Sequence, residues 1–181
     1  MYCHTSDGSR DALVELVLDA GPLIYVAKLD AFDTFSVAGR TAVVPPSVYA
    51  EAARPELAFR HPEIAVIEQA RDDGRLVVVA LNARETQLAA ELAVRSAGLH
   101  VGELDVLALG RARGWPVCLH ERQAARLARA LGVATVHLVE LLFEGTAEAG
   151  ELERRVRHFA RLTNMTMDDL DALLTLIEEP R

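Results

Sequence analysis

The chain has 181 residues, which suits a single domain with or without a short appendage better than two domains. With 51% hydrophobic and 25% charged residues, its composition is that of a globular protein that folds without disulfides or structural metals. A net charge of −8 argues against a protein held to nucleic acid by bulk positive charge, but it leaves open a nuclease whose acids bind metal ions.

The two cysteines, Cys3 and Cys118, are far apart in the sequence, so neither a disulfide scaffold nor a zinc site is indicated. No apolar run approaches the ~18 residues of a membrane helix. The N-terminus is polar and has no apolar signal core. We therefore expect a cytoplasmic protein without membrane contact, preceded by a flexible lead over residues 1–12.

Short apolar runs alternate with helical patterns along most of the chain. The apolar runs, each bounded by turn residues, predict five strands at 13–18, 41–44, 76–81, 116–119 and 134–136. Apolar residues at helical spacing predict helices at 23–35, 62–71, 84–96, 102–113 and 123–131. Another predicted helix starts after Pro45 and Pro46, with Ser47 as its N-cap and Glu51 one turn inside.

This alternation predicts an α/β fold with a parallel sheet covered by helices on both faces. From Leu138 onward the pattern is helical to the end of the chain. We expect a domain over residues 13–145, followed by a C-terminal helical extension over 146–181. The extension packs either on the domain or on a partner.

Acidic residues recur where the predicted strands end. Asp19 ends the first strand, Glu51 follows the second, Glu103 and Asp105 lie on the helix after the LHVG turn, and Glu121 follows the fourth strand. Ligands of open parallel sheets bind beyond the carboxyl ends of the strands. Crowded carboxylates repel unless a cation neutralises them, and oxygen ligands favour Mg²⁺ or Mn²⁺. Such ions promote hydrolysis of phosphodiesters.

Taken singly, each acid has an ordinary structural explanation. Asp19 suits a turn or a helix cap, and Glu51 near a helix start is favourable to the helix dipole. Glu103 and Asp105 are two residues apart and do not share a helix face. Glu121, next to an arginine, suits a surface charge. Only their joint placement predicts a site.

Four motifs in order resemble the PIN domain family: VLDAGPLIYVAKLD, VVPPSVYAEA, HVGELDVLALGRARG, and a strand with a short acidic motif followed by ARLARALGV. The resemblance covers residues 13–145. It is greatest for the branch near the VapC-type toxins, whose first motif reads DAGPLI or DTSPLI and which carries a helical extension.

The resemblance implies a three-layer α/β/α fold with a parallel, mostly five-stranded sheet and a metal-dependent ribonuclease site. Asp19, Glu51 and Glu103 match the first three acids of the family, and Asp105 lies beside the next acidic position. We expect Asp19, Glu103 and Glu121 to hold Mg²⁺ or Mn²⁺, while Glu51 and Asp105 complete the catalytic pocket.

The fourth motif departs from the family pattern. Two aspartates usually follow the strand, whereas this chain has His120 and Glu121. Glu121 is one methylene longer and can reach a metal through a water. His120 is a tolerable ligand for Mn²⁺ or a candidate general acid, and equally a histidine that packs at a strand end. The departure keeps an alternative open: a PIN-like module without nuclease activity that acts through protein contacts or passive RNA binding.

The resemblance further implies an RNA substrate, a homodimer, and a toxin–antitoxin pair in which a small antitoxin protein covers the site. Arg122 and Arg126 lie four residues apart on one helix face, where they either grip phosphates of the substrate or are simply solvated.

Three other α/β families fail on specific residues. A response regulator needs a lysine after a late strand, but Lys28, the single lysine, lies on the first predicted helix. A haloacid-dehalogenase-type phosphatase needs a DxD motif and a late lysine. A dinucleotide-binding domain needs GxGxxG, which AGPLIY does not supply.

Overall fold

The computed structural model describes residues 14–178, so the predicted flexible lead lies outside the described residues. The fold is α/β, with a parallel sheet flanked by helices. The described strands are β1 (Val14–Leu18), β2 (Arg40–Val44), β3 (Leu76–Val78) and β4 (Val117–Cys118). Their order in the sheet is β3-β2-β1-β4, and Val17 of β1 pairs with Val43 on one side and Val117 on the other.

Helices connect and cover these strands. Those within residues 14–178 are α1 (Ala20–Lys28), α2 (Asp33–Val37), α3 (Pro46–Ala52), α4 (Glu63–Asp72), α5 (Ala83–Arg95), α6 (Val101–Arg113), α7 (Arg122–Ala130), α8 (Leu138–Gly145), α9 (Ala149–Thr163) and α10 (Met167–Glu178). A short 3-10 turn spans Pro55–Leu57. Helix α5 packs against α6, and α1 packs against α3 and α4. Over the described residues, no helix is both long and apolar enough to cross a membrane.

The carboxyl-terminal half of β1 lies in the centre of the core. Leu16, Val17 and Leu18 are fully buried, and Val106 and Leu107 of α6 are buried as well. A strand that is apolar on both faces is typical of a parallel sheet covered by helices on both sides. Because β1 ends inside the core, the residue that follows it, Asp19, begins α1 at a buried position.

The sheet has four strands in the described residues, so the expectation of five was wrong. The predicted strand at 134–136 forms only an isolated bridge between Thr135 and Val117. Two backbone hydrogen bonds hold it there, Val117 N–H to the carbonyl of Ala134 and Val136 N–H to the carbonyl of Val117, both at 2.9 Å. The N–H of Trp115, which would continue the ladder on one side, bonds to the carbonyl of Gly110 at 3.1 Å instead, and α8 begins at Leu138 on the other side, so the pairing stops after one residue.

The predicted helix over 23–35 is also wrong, because the structure divides it into α1 and α2. Asp30 adopts the left-handed region at φ +48°, its N–H bonds to the carbonyl of Ala27, and the N–H of Ala31 bonds to the carbonyl of Val26. This is a Schellman motif, whose left-handed position is usually glycine. Because this residue is an aspartate and not a glycine, the sequence did not indicate that the helix ends here.

The N-cap of α3 is Pro45, so the prediction of Ser47 as the cap was wrong. Ser47 lies inside the helix, and its hydroxyl donates to Oδ2 of Asp105 at 2.6 Å. The strand predicted over 76–81 is shorter, since β3 ends at Val78.

Helix α9 packs on the rest of the domain. Leu152 and Val156 are fully buried, and the buried side chain of Arg155 reaches the loop between α1 and α2. There its guanidinium forms an ion pair with Asp33 at 2.8 Å and donates to the carbonyl oxygen of Asp30 at 3.2 Å. Helix α10 packs in turn against α9.

Candidate active site

Two carboxylates of the candidate site are fixed and buried. Asp19 caps α1 directly after β1, and its backbone N–H donates to the carbonyl of Cys118 in β4 at 3.0 Å. Glu103 is the third residue of α6. Only 7% of Asp19 and 4% of Glu103 is exposed to solvent. Sheet and helix together therefore hold two acids in the protein interior, where charges are poorly solvated.

Glu103 has one satisfied and one unsatisfied oxygen. Its Oε2 accepts a hydrogen bond of 2.8 Å from the backbone N–H of His100, as in a capping box. Its Oε1 is buried and has no hydrogen-bond partner within the described part of the chain. A buried acceptor without a partner costs free energy, and the cost is greater for a charged group. The position therefore favours a cation or a proton donor beside Oε1.

Gly102 lets the acids of neighbouring elements converge. A Cβ atom at this position would lie 3.6 Å from Oε2 of Glu51 and 3.8 Å from Oδ1 of Asp19. It would also lie 3.1 Å from Cγ2 of Val48, tighter than ordinary van der Waals contact. The absence of a side chain at Gly102 thus leaves room for the carboxylates of α1 and α3 beside α6.

These acids line one cleft with a volume of about 160 Å³. Its walls include four of the five predicted catalytic acids and two histidines: Asp19, Glu51, Glu103, Glu121, His100 and His120. Glu51 and Glu121 are exposed at the cleft, whereas Asp19 and Glu103 form its buried floor.

The electrostatics of the cleft act most strongly on Asp19. Burial raises the pKa of Asp19 to about 6, against the lowering effect of a hydrogen bond from the backbone N–H of Ala20. The neighbouring carboxylates of Glu103 and Glu51 raise this pKa as well, and His120 lowers it. The charged form of Asp19 is therefore unfavourable unless positive charge is added.

The residues of the altered fourth motif sit at the rim. Glu121 is the N-cap of α7, and its side chain makes no capping hydrogen bond. The ring of His120 meets the ring of Tyr25 edge-on, with centroids 5.4 Å apart. The Cβ of His120 lies 3.1 Å from where a Cβ on Gly21 would be, so that glycine allows the end of β4 to approach α1.

The remaining predicted residues lie apart from the cleft. Asp105 is half-buried and bonded to Ser47, and it does not line the cleft, because two residues along a helix place a side chain on a different face from Glu103. Arg122 and Arg126 are exposed on α7, and neither forms an ion pair with any described residue.

No group of three or more His, Cys, Asp or Glu side chains in residues 14–178 is arranged to hold a metal ion as it stands. The donor chemistry nevertheless fits a hard cation, because the cleft offers carboxylate oxygens and Oε1 of Glu103 lacks a partner. Asp19 and Glu103 in the buried floor are the two candidate ligands that the fold holds in place, and the exposed side chains of Glu51 and Glu121 are candidates for a third.

The comparison with protein families identifies the fold. A family model described as a PIN domain matches residues 15–167. The chain belongs to the PIN domain family. The resemblance seen in the sequence motifs is thereby confirmed at the level of the family. PIN domains are in general metal-dependent nucleases that bind RNA. A search of curated proteins finds no match to this chain.

Several residues that shape the acidic cleft were not predicted from the sequence. His100 and Gly102 are the clearest cases, one bonding to Glu103 and the other leaving space for Asp19 and Glu51. His100 could have been predicted, because a glutamate three residues after the residue that precedes a helix is typical of a capping box. No sequence pattern predicts the role of Gly102, because the side chain that crowds this position, Val48, belongs to another helix.

Proposed function

We propose that this PIN domain is a divalent-metal-dependent endoribonuclease that hydrolyses RNA phosphodiester bonds at the acidic cleft. The observation that carries the proposal is the buried pair Asp19 and Glu103, in which one carboxylate oxygen of Glu103 has no hydrogen-bond partner among residues 14–178. Burying two acids together destabilises the apo fold unless the charge is compensated. A cation supplies that compensation, and RNA hydrolysis is the chemistry for which such a cation is suited.

In this mechanism Asp19 and Glu103 hold Mg²⁺ or Mn²⁺, and Glu121 completes the set from the rim. When bound, the ion supplies positive charge that stabilises the scissile phosphate and lowers the pKa of a water nucleophile. Glu51, beside Asp19, orients that water by accepting a hydrogen bond. Water adds to phosphorus, the bond from phosphorus to the leaving ribose oxygen breaks, and the proton of the water passes through solvent to that oxygen.

Asp105 acts in this scheme as a positioning residue. Its bond to Ser47 ties α6 to α3, the helices that carry Glu103 and Glu51. Arg122 and Arg126 bind phosphates that flank the scissile bond. Their exposure and lack of ion pairs among the described residues support this role, since an unpaired guanidinium is free to form bidentate bonds with phosphate.

We further propose the setting of a VapC-like toxin: a cytoplasmic homodimer whose cleft is covered by a small antitoxin protein. The support is the DAGPLI form of the first motif together with membership of the PIN family. The acidic cleft includes the exposed carboxylates of Glu51 and Glu121. It therefore suits inhibition by a partner that inserts a positively charged side chain.

A second candidate is a PIN-like module without catalysis, acting through protein contacts or passive RNA binding. It is favoured by the lack of a ready three-ligand set in the described residues and by His120 in place of an aspartate. The two candidates differ in whether the chain cleaves RNA at all.

Cleavage of a labelled single-stranded RNA separates them. We expect cleavage in Mg²⁺ or Mn²⁺, loss of cleavage in chelator, and a loss of at least about 100-fold for Asp19→Asn and for Glu103→Gln. Asp171→Asn, which neutralises an exposed carboxylate on α10, is the matched control and should cleave normally.

Metal binding gives a readout that does not depend on activity. Mn²⁺ should raise the thermal midpoint of the native chain and of Asp171→Asn, but not of Glu103→Gln. Crystals soaked in Mn²⁺ should show an anomalous peak in the cleft. Equal cleavage in chelator would refute the metal-dependent mechanism, whereas an anomalous peak without any cleavage would favour the non-catalytic module.

A further inference from the structure

A second cavity, distinct from the acidic cleft, lies directly beside it. It has a volume of about 240 Å³ and is lined by residues from α1, the end of β4, α7 and α9. Its walls include Tyr25, Leu119, Ala125 and Phe159, and His120 belongs to the walls of both cavities. His120 therefore borders both spaces.

Four of the eleven residues that line this cavity, which we call the aromatic cavity, carry aromatic rings. Tyr25 stands between His120 and Phe159, and both contacts are edge-on, with centroids 5.4 and 5.6 Å apart and interplanar angles of 66° and 85°. Pro22 and Leu119 add apolar surface. Edge-on packing fixes the orientation of the rings, so the cavity has a defined shape before any ligand enters.

Polar groups lie around the apolar walls. Arg122 lines the aromatic cavity and makes no ion pair with the described residues, and the exposed residue His137 lines it as well. The ligand that fits is a flat ring with apolar faces, a polar edge, and a negatively charged group near Arg122. At about 240 Å³ the cavity is smaller than most drug-sized pockets, which measure roughly 300–1,000 Å³, so it suits a single ring system.

We propose that the aromatic cavity binds the base of a nucleotide of single-stranded RNA next to the scissile phosphate. The inference rests on the proposed ribonuclease function, because His120 joins this cavity to the cleft where the phosphate reacts. Unstacked bases of single-stranded RNA bind to aromatic side chains in this way, while arginine binds the adjoining phosphate. Phe159 belongs to α9, so the C-terminal helices form part of the substrate site.

Filling the cavity from its rim tests the proposal without removing core side chains. Ala125→Trp adds an indole at a half-buried lining position of α7, and Ala130→Trp adds the same group at an exposed position of the same helix. Both variants are prepared with Asp19→Asn, which stops turnover and removes one negative charge from the cleft. Circular dichroism and thermal midpoints verify that both are folded.

The probe is a set of single-stranded RNA octamers in Mg²⁺, each carrying 2-aminopurine or pyrrolocytosine at one position. Both fluorophores are quenched when the base stacks. We expect one position to be quenched in the parent chain and in Ala130→Trp. In Ala125→Trp the quenching should be lost and the octamer should bind at least about fivefold more weakly, since stacking on an aromatic residue contributes at least about 1 kcal/mol per base.

The outcomes separate this inference from the proposed function. Cleavage of RNA by the native chain with no quenched position overturns the base-binding cavity and leaves the nuclease intact. A quenched position that Ala125→Trp abolishes supports the cavity even if the native chain cleaves nothing. Equal loss of quenching in Ala125→Trp and Ala130→Trp overturns the assignment to this cavity.

Discussion

Asp19 is the residue at which stability and proposed function oppose each other. It is buried beside Glu103 and Glu51, and burial raises its pKa to about 6. An asparagine would occupy the same volume and accept the same bond from the backbone N–H of Ala20 without a buried charge. A carboxylate here is explained by the cation that we propose it binds, not by its contribution to the fold.

The pH dependence of Asp19→Asn tests this opposition. The folded pKa lies above the ordinary 3.8, so between these values the folded state binds more protons than the unfolded state. The stability contributed by Asp19 therefore falls as the pH rises from about 4 to about 6 and stays low above that. In chelator, Asp19→Asn should stabilise the fold by about 1–3 kcal/mol at pH 8 and by almost nothing at pH 4.

Urea unfolding at both pH values measures the difference. Asp171→Asn serves as the control, with changes within about 0.5 kcal/mol at each pH, as expected for a surface position. A destabilised Asp19→Asn at pH 8 would show that the carboxylate is needed by the fold itself.

The sequence predicted which acidic residues lie near the site, but it did not predict the direction in which each side chain points. Asp19, Glu51 and Glu121 line one cleft because each follows a parallel strand that ends at the same edge, a rule that needs no coordinates, whereas Glu103 joins them from the start of α6, which follows α5. Asp105 does not join them, because the direction of a side chain on a helix depends on which face the helix buries. The catalytic roles of all five stay predictions.

At the scale of elements, Gly145 at the end of α8 lies so close to α2 that it leaves no room for a side chain. A Cβ there would lie 2.2 Å from the carbonyl oxygen of Thr34 in α2. Backbone cannot yield as a flexible side chain can, so α2 and α8 would have to separate. The contact matters for the site because α2 follows the turn that ends α1, the helix opened by Asp19.

Gly145→Ala should therefore destabilise the protein by about 1–3 kcal/mol. Gly150→Ala is the matched substitution: a Cβ on Gly150, in α9, meets nothing within 4 Å, and alanine favours the helix by up to about 1 kcal/mol. Denaturant midpoints should move in opposite directions for the two variants. Movement in the same direction would show that the approach of α2 to α8 is loose.

The elements themselves were largely predictable, and the errors have local causes. Four strands and most helix positions follow from apolar periodicity, because burial selects the same residues that the pattern detects. The prediction of a fifth strand failed because the N–H of Trp115 bonds to the carbonyl of Gly110 and because α8 begins at Leu138. The break between α1 and α2 was missed since Asp30 adopts a conformation typical of glycine. Both errors concern backbone geometry, which hydrophobic patterns do not encode.

At the scale of the whole molecule, helix α9 connects the C-terminal part of the chain to the elements that form the acidic cleft. Arg155 reaches the loop between α1 and α2, and Phe159 contacts Tyr25 of α1.

Arg155→Ala should destabilise the fold by about 2 kcal/mol or more, because a buried guanidinium with several partners is lost. Arg157→Ala, which removes an exposed pair with Glu153, should change the free energy of unfolding by no more than about 0.5 kcal/mol.

Deletion of the C-terminal helices tests the prediction of an extension over 146–181. Removing residues 149–181 takes away the fully buried Leu152 and Val156, so we expect an insoluble product. Removing only residues 165–181 deletes α10, whose described apolar side chains are half-buried or exposed, and should leave a soluble protein. Solubility and molecular mass are the measurements. A soluble product of half the native mass from the longer deletion would instead identify the helices as a dimer interface.

The bond from the Asp19 amide to the carbonyl of Cys118 joins two strand ends that are about a hundred residues apart in the chain. We expect this pairing to form late in folding, because the intervening loop has to close before the contact can form. Separation of β4 from β1 therefore dismantles the acidic cleft while the pairing of β1 with β2 remains. Hydrogen exchange at this one amide, measured without RNA or metal, should consequently report how often β4 separates from β1.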